Sequence, residues 1–159
     1  MNKDNFFTKI QIESDINRVT TLMNSGIFNA SVLRTFQESV FTEIMIKLND
    51  LLQKLDKLKN RIDFKDDVIG DMDITDLISK IRNAVCHMDS GEHILENNKF
   101  TFNIAYGKGN ILSINGVNIT SDYDDDICFF FGENKIYLKR HILRVINEGN
   151  NKFKEIYKK

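Results

Sequence analysis

The segment IRNAVCHMDSGEH, from Ile81 to His93, holds two of the chain's three histidines, one of its two cysteines and an Arg–Asn pair. Arg82 and His87 are the residue types that handle a phosphodiester. A guanidinium grips phosphate oxygens with a rigid fork, and an imidazole moves protons near neutral pH. Asn83 precedes His87 by one helical turn, a spacing that sets an amide beside the imidazole. At ~100° per residue, Ile74, Leu77, Ile78, Ile81, Val85 and Met88 form one apolar stripe. Arg82 then falls on its flank, and Asn83 and His87 fall on the opposite face. His87 is therefore expected on a polar surface and not in the core. Arg82 and His87 diverge by ~140° around that helix, so one copy offers a splayed site.

Other constellations are weaker. Asp122, Asp124, Asp126 and Glu133 match positions 1, 3, 5 and 12 of a calcium loop, but Ile127 stands where the loop needs glycine and no helix precedes it. Cys86 and His87 are adjacent, which suits neither zinc spacing nor a nucleophilic dyad, and Cys128 in ICFFF reads as a small buried hydrophobe. No metal and no cofactor are expected. Gly107 to Asn110 lacks the strand-to-helix context of a phosphate loop. Glu92 and His93 lie past the helix end, where an exposed loop is the expectation and a wall of the same cleft the alternative. Arg140 and Arg144 are candidates for RNA-backbone contacts, or else ordinary helix-surface charges.

The elements that must position these groups follow from patterning. A 159-residue chain with 42% hydrophobic and 28% charged residues has material for one domain with a real core, which excludes a disordered chain. Its net charge of −1 excludes a global basic field for nucleic acid, although the chain turns basic from Lys135 onward. No apolar run reaches the ~20 residues of a membrane span, and no signal-like block opens the sequence. Two cysteines without a disulfide framework fit a reducing cytoplasm. Helical periodicity runs up to about Asn24, where Asn24-Ser25-Gly26 ends it, and then from about Ala30 to Asn60, capped by Ser31 or Asn29. Asp73 caps the helix that carries Arg82 and His87, with its stop near Ser90-Gly91. Residues 99–131 change period: KFTFNIA alternates, Asn115-Gly116 is a strong hairpin signal, and ICFFF is a further strand. From Asn134 the helical pattern returns. The expected fold is mainly α: an antiparallel helical bundle, one domain over 1–159, with a small antiparallel β insert at about 99–131.

Arg82-Asn83-Ala84-Val85-Cys86-His87 is similar to the R-N-x(3)-H form of the motif of HEPN domains. Placement near the end of a bundle helix, with a polar residue directly after the arginine, resembles that family's nuclease members. The stretch FTFNIAYGKGN after the motif looks like a small bacterial subgroup carrying a β-hairpin insert. The resemblance implies a metal-independent endoribonuclease acting as a homodimer, with Arg82, Asn83 and His87 catalytic; Arg140, Arg144 and His93 are the candidate RNA contacts beside them. It also implies a toxin or effector of a toxin–antitoxin or defence system, with an antitoxin protein as partner. A non-catalytic dimeric HEPN-type module that binds a partner is the alternative.

Overall fold

The computed structural model describes residues 3–87 and 91–157. Helix α1 (Lys3–Asn24) packs on α2 (Arg34–Lys57), and α2 packs on α3 (Ile74–Cys86). Each buries a stripe at three- and four-residue spacing: Ile12, Ile16 and Val19 on α1; Phe41, Ile44, Leu48, Leu51 and Leu55 on α2; Leu77, Ile78 and Ile81 on α3. A 3-10 turn (Gly91–His93) leads into two short strands, β1 (Ile94–Leu95) and β2 (Asn98–Lys99). Then come β3 (Asn103–Tyr106), the hairpin β4 (Gly109–Ile114) and β5 (Val117–Ser121), and the hairpin β6 (Ile127–Phe131) and β7 (Asn134–Tyr137). A π-helical turn (Leu138–Leu143) opens helix α4 (Arg144–Tyr157). Gly149 lets α4 lie close on α2, since a Cβ there would stand 3.3 Å from Leu51 Cδ2.

Strands β3, β6 and β7 form one antiparallel sheet in the order β3-β6-β7, while β1 pairs only with β2 and β4 only with β5. Strand β6 is apolar throughout because both of its faces are covered. Phe129 and Phe131 point into the helical core with Phe102 and Ile136. Cys128 and Phe130 point the other way, into a second cluster with Ala105 and Tyr137. Phe129 packs edge-on against Phe28, with ring centroids 4.9 Å apart, and tilted against Phe41 at 4.7 Å.

This architecture corrects the expected fold class. The chain is 53% helical and 19% strand, a mixed α/β fold and not a mainly helical bundle with an insert. The strands run from Ile94 to Tyr137, past both ends of residues 99–131, and β6 completes the core that the helices alone leave open. The long helix begins at Arg34 instead of Ala30. Leu33 stands at its N-cap without a side-chain cap bond, and Asn29 Oδ1 instead accepts from Ser31 N at 3.0 Å in the preceding turn. Asp73 does cap α3, its carboxylate accepting Asp76 N–H at 2.9 Å. No helix among the described residues is long and apolar enough to cross a membrane.

Candidate functional site

Helix α3 is fixed at its start by Arg61, whose Nε and Nη2 donate to the two oxygens of Asp73 at 2.9 and 3.0 Å, while Nη2 also reaches Asp76 at 2.7 Å. Its far end carries the motif. Arg82 is half-buried on the flank and Asn83 is exposed. Arg82 Nη1 donates to Asn83 Oδ1 at 3.0 Å, so the amide orients the guanidinium and not the imidazole. The helix ends at Cys86, one turn earlier than Ser90-Gly91. His87 is the C-cap, with extended φ of −125°, its N–H still donating to Asn83 C=O at 2.9 Å. It is thus exposed but off the helix, and the expected Asn83–His87 side-chain pair is replaced by Arg82–Asn83. Met88 and Ser90, expected in the stripe and the stop, lie outside the described residues.

Among the described residues Arg82, unlike most of the chain's arginines, has no acidic partner. Arg18 pairs with Glu43, Arg61 with Asp56, Asp73 and Asp76, Arg140 with Asp125 and Asp126, and Arg144 with Glu148. Arg34 donates to the neutral Asn103 at 2.6 Å. Among the described residues, therefore, only Arg34 and Arg82 keep an uncompensated guanidinium, and only Arg82 stands on the turn that ends at a histidine. The His87 ring likewise makes no hydrogen bond among the described residues.

The remaining candidates are held elsewhere. Arg140 belongs to the π-helical turn, with its Cζ 3.8 Å from the centre of the Tyr123 ring, and Arg144 lies 3.7 Å over Phe64. Both are structural clamps, stacked and ion-paired. His93 is not in an exposed loop: it is 6% exposed and lines a cavity against Ala84 and Val85 of α3. Asp122 and Asp126 of the calcium-like loop serve the fold. Asp122 accepts from Lys135 Nζ at 2.6 Å and from the Tyr137 hydroxyl at 2.7 Å. Asp126, its side chain fully buried, accepts from the backbone N–H groups of Ile127, Lys139 and Arg140. Among the described residues no group of three or more His, Cys, Asp or Glu side chains gathers in metal-binding geometry. Burial pushes the Cys128 thiol up to about 12, which leaves it an inert hydrophobe.

Sequence reasoning overlooked His141. It is fully buried, its Nδ1 accepts Tyr137 N–H at 3.1 Å, and its Nε2–H donates to Asp66 Oδ2 at 2.7 Å. Two residues so far apart in the chain leave no local signal of pairing. The backbone donor leaves Nδ1 without a proton, so the ring is neutral, and burial lowers its pKa against the pull of Asp66. Burial works to raise Asp66, but the hydrogen bond from His141 and the N–H groups of Ile69 and Val68 outweigh it, and its pKa is lowered. The imidazole is sealed inside the fold, and the pair acts on stability. Both depressed values give stability that is present above the unfolded pKa and lost as pH falls. Chemical denaturation at intervals from pH 7.5 to 5 is expected to show stability dropping below the ordinary histidine range of ~6.5, and His141→Gln is expected to reduce that slope. An unchanged slope in the variant would remove His141 from the explanation.

No protein-family model, no curated protein and no solved structure matches the chain.

Proposed function

We propose that the chain is a metal-independent endoribonuclease of the HEPN type, acting in the cytoplasm as a homodimer. The observation that carries this reading is the uncompensated Arg82 guanidinium, held by Asn83, on the helical turn that ends at the exposed His87. In this mechanism the ribose 2′-hydroxyl attacks the adjacent phosphorus, the P–O5′ bond breaks, and the products are a 2′,3′-cyclic phosphate and a 5′-hydroxyl. Arg82 stabilises charge growing on the phosphoryl oxygens. His87 moves the proton between the 2′-hydroxyl and the leaving oxygen. Asn83 positions Arg82, a revision of the role its spacing suggested. The need for a 2′-hydroxyl selects RNA over DNA.

Two copies of the motif about a twofold axis supply both groups to one phosphate. Leu33 and Phe36, 69% and 58% exposed at the start of α2, offer apolar surface at this end of the molecule, since the second turn of α2 and the last turn of α3 line one cavity. Arg140 and Arg144 are already engaged by carboxylates, so Arg82 is the better-placed guanidinium for a phosphate. The biological setting that suits such an enzyme is a bacterial toxin or defence effector restrained by an antitoxin protein.

The test is single-stranded RNA incubated with purified protein in EDTA. Arg82→Ala and His87→Ala are each expected to slow cleavage by roughly 100-fold or more, with cyclic phosphate ends on the wild-type products. Cleavage by both variants at the wild-type rate would end the proposal. A folded dimer that leaves RNA intact would favour the non-catalytic binding module.

A further inference from the structure

The hairpin β4–β5 is an arm held at its base and bare toward its end. At the base Ser121 is buried, and the adjacent Asp122 carboxylate accepts from Lys135 and Tyr137 of β7. Ile119 packs on the second core cluster, and the carbonyl of Thr120 accepts from Lys135 Nζ at 3.4 Å. Strand β5 is thus the inner strand and β4 the outer one. Ile111 on β4 is 39% exposed, and Val117 beside the turn is 37% exposed. Two strands alone are marginal in water, and among the described residues β4 and β5 pair with no third strand.

Register sorts the side chains of the arm. Leu112 stands opposite Ile119 and Ile114 opposite Val117, which makes one face apolar. Ser113 stands opposite Asn118 on the other face. There Asn110 Nδ2 donates to Ser113 Oγ at 3.0 Å, and Ser113 Oγ donates to Asn118 Oδ1 at 2.6 Å. Asn115 and Gly116, with φ of +49° and +83°, form a two-residue turn of type I′. In such a hairpin the pair next to the turn exchanges both backbone hydrogen bonds, and bonded and non-bonded pairs alternate from there. The backbone groups of Ile114 and Leu112 therefore face β5, and the N–H and C=O of Ser113 point to the open side of β4. The bulge at Ile111 ends this regular edge on the side nearer the fold.

Open edges are commonly guarded by lysine, proline or a covering element. Other strands of this chain are guarded: β2 ends in Lys99, β7 carries Lys135, and β3 is met by Arg34 of α2 through Asn103 at 2.6 Å. From Gly109 to Ser121 there is no Asp, Glu, Lys, Arg or Pro. That neutrality selects the occupant. About a twofold axis normal to the sheet, β4 runs antiparallel to its own copy, and each residue near the axis meets its counterpart, so any charge there would face itself. The same axis keeps apolar face beside apolar face and polar row beside polar row. We infer that β4 pairs edge to edge with β4 of a second copy, forming a four-stranded sheet across the two chains that is centred near Ser113. This seam goes beyond the nuclease reading and does not rest on it, since no residue of the α3 motif takes part.

Analytical ultracentrifugation of the full chain over a range of concentrations tests the seam. Ser113→Pro removes the outward N–H and is expected to halve the mass of the wild-type assembly. Ser113→Ala loses the same side-chain hydrogen bonds but keeps that N–H, and it is expected to assemble as the wild type does. Ser113→Lys sets two ammonium groups face to face and is expected to behave like the proline variant, then to regain the wild-type mass when mixed with Ser113→Glu. A wild type that stays monomeric, a mass that Ser113→Pro and Ser113→Lys both leave unchanged, or equal loss in Ser113→Ala would each overturn the pairing. A dimer formed only at the motif end would survive every substitution at Ser113, and cleavage by Arg82→Ala or His87→Ala bears only on the nuclease.

Discussion

A Gly132→Ala chain is expected to lose most or all of its stability. Gly132 is the first of the two turn residues joining β6 to β7, with φ of +58°, the position that glycine fills in a tight hairpin. The conformation is the smaller part of the effect. A Cβ there would stand 2.1 Å from the carbonyl oxygen of Glu92, 2.9 Å from its carbonyl carbon and 3.1 Å from His93 Cα. All three are backbone or Cα positions with no side-chain rotamer to relieve the overlap. The 3-10 turn, His93 in its cavity and the hydrogen bond from Gly132 N–H to Phe100 C=O must all move. Gly26→Ala is the matched control: its φ is +75°, but nothing lies within 4 Å of the added carbon. That control should cost ~1–2 kcal/mol, whereas Gly132→Ala should exceed ~4 kcal/mol, the range reserved for gross disruption. Thermal melting of the two variants side by side decides it. Similar midpoints would show that β6–β7 and the Gly91–His93 turn do not meet as closely as described.

Replacing Asp126 is expected to have the second largest effect, and the isosteric amide should be nearly as harmful as alanine. Asp126 Oδ1 accepts from Ile127 N at 2.8 Å and Lys139 N at 2.9 Å, and Oδ2 accepts from Arg140 N at 3.1 Å and Arg140 Nη1 at 3.2 Å. Every neighbour is a donor. Asparagine in either orientation turns an NH₂ toward two of them, and alanine leaves all four without this acceptor. Lys139 and Arg140 open the π-helical turn that starts the last helical segment, so the carboxylate also meets the positive end of a helix. Breaking a buried charged pair typically costs ~3–5 kcal/mol. Denaturant titration should place Asp126→Asn and Asp126→Ala together, both far below wild type. An Asn variant within ~1 kcal/mol of wild type would mean the site tolerates a donor and the account of the cap is wrong.

Local signals carried to the structure, and long-range ones did not. Asn115 and Gly116 both adopt positive φ in the two-residue turn between β4 and β5, as that dipeptide demands. Asp73 caps α3 because an acceptor in that position suits the open N–H of Asp76. The fold class is not legible in the sequence because membership of the core is not a local property. ICFFF reads as a strand from its composition, but only the meeting of Phe129 with Phe28 and Phe41 makes that strand part of the helical core. Asn134–Tyr137 reads as the start of a helical pattern because Leu138, Ile142 and Val145 keep that spacing, and four residues are too few to show an alternation of their own. Arg82 and Asn83 lie on the helix surface as their positions imply. His87 leaves the helix as the C-cap of α3, with extended backbone that no local turn signal at that position announces. Glu38, Lys99 and Thr101 line the His93 cavity from separate stretches of chain, and nothing in their local sequence joins them to it.

The aromatic contact between β6 and the first two helices also orders events during synthesis. The ribosome releases α1 and α2 well before Phe129 exists, so the nascent chain presents Phe28 and Phe41 without their β6 partner until that strand is translated. Contacts spanning that much sequence close slowly, and an early-stopped chain exposes the sticky face that the finished one hides. A fragment ending before Ile127 should therefore aggregate or occupy a chaperone, and the motif on α3 acquires its mature surroundings only after β6 has been made.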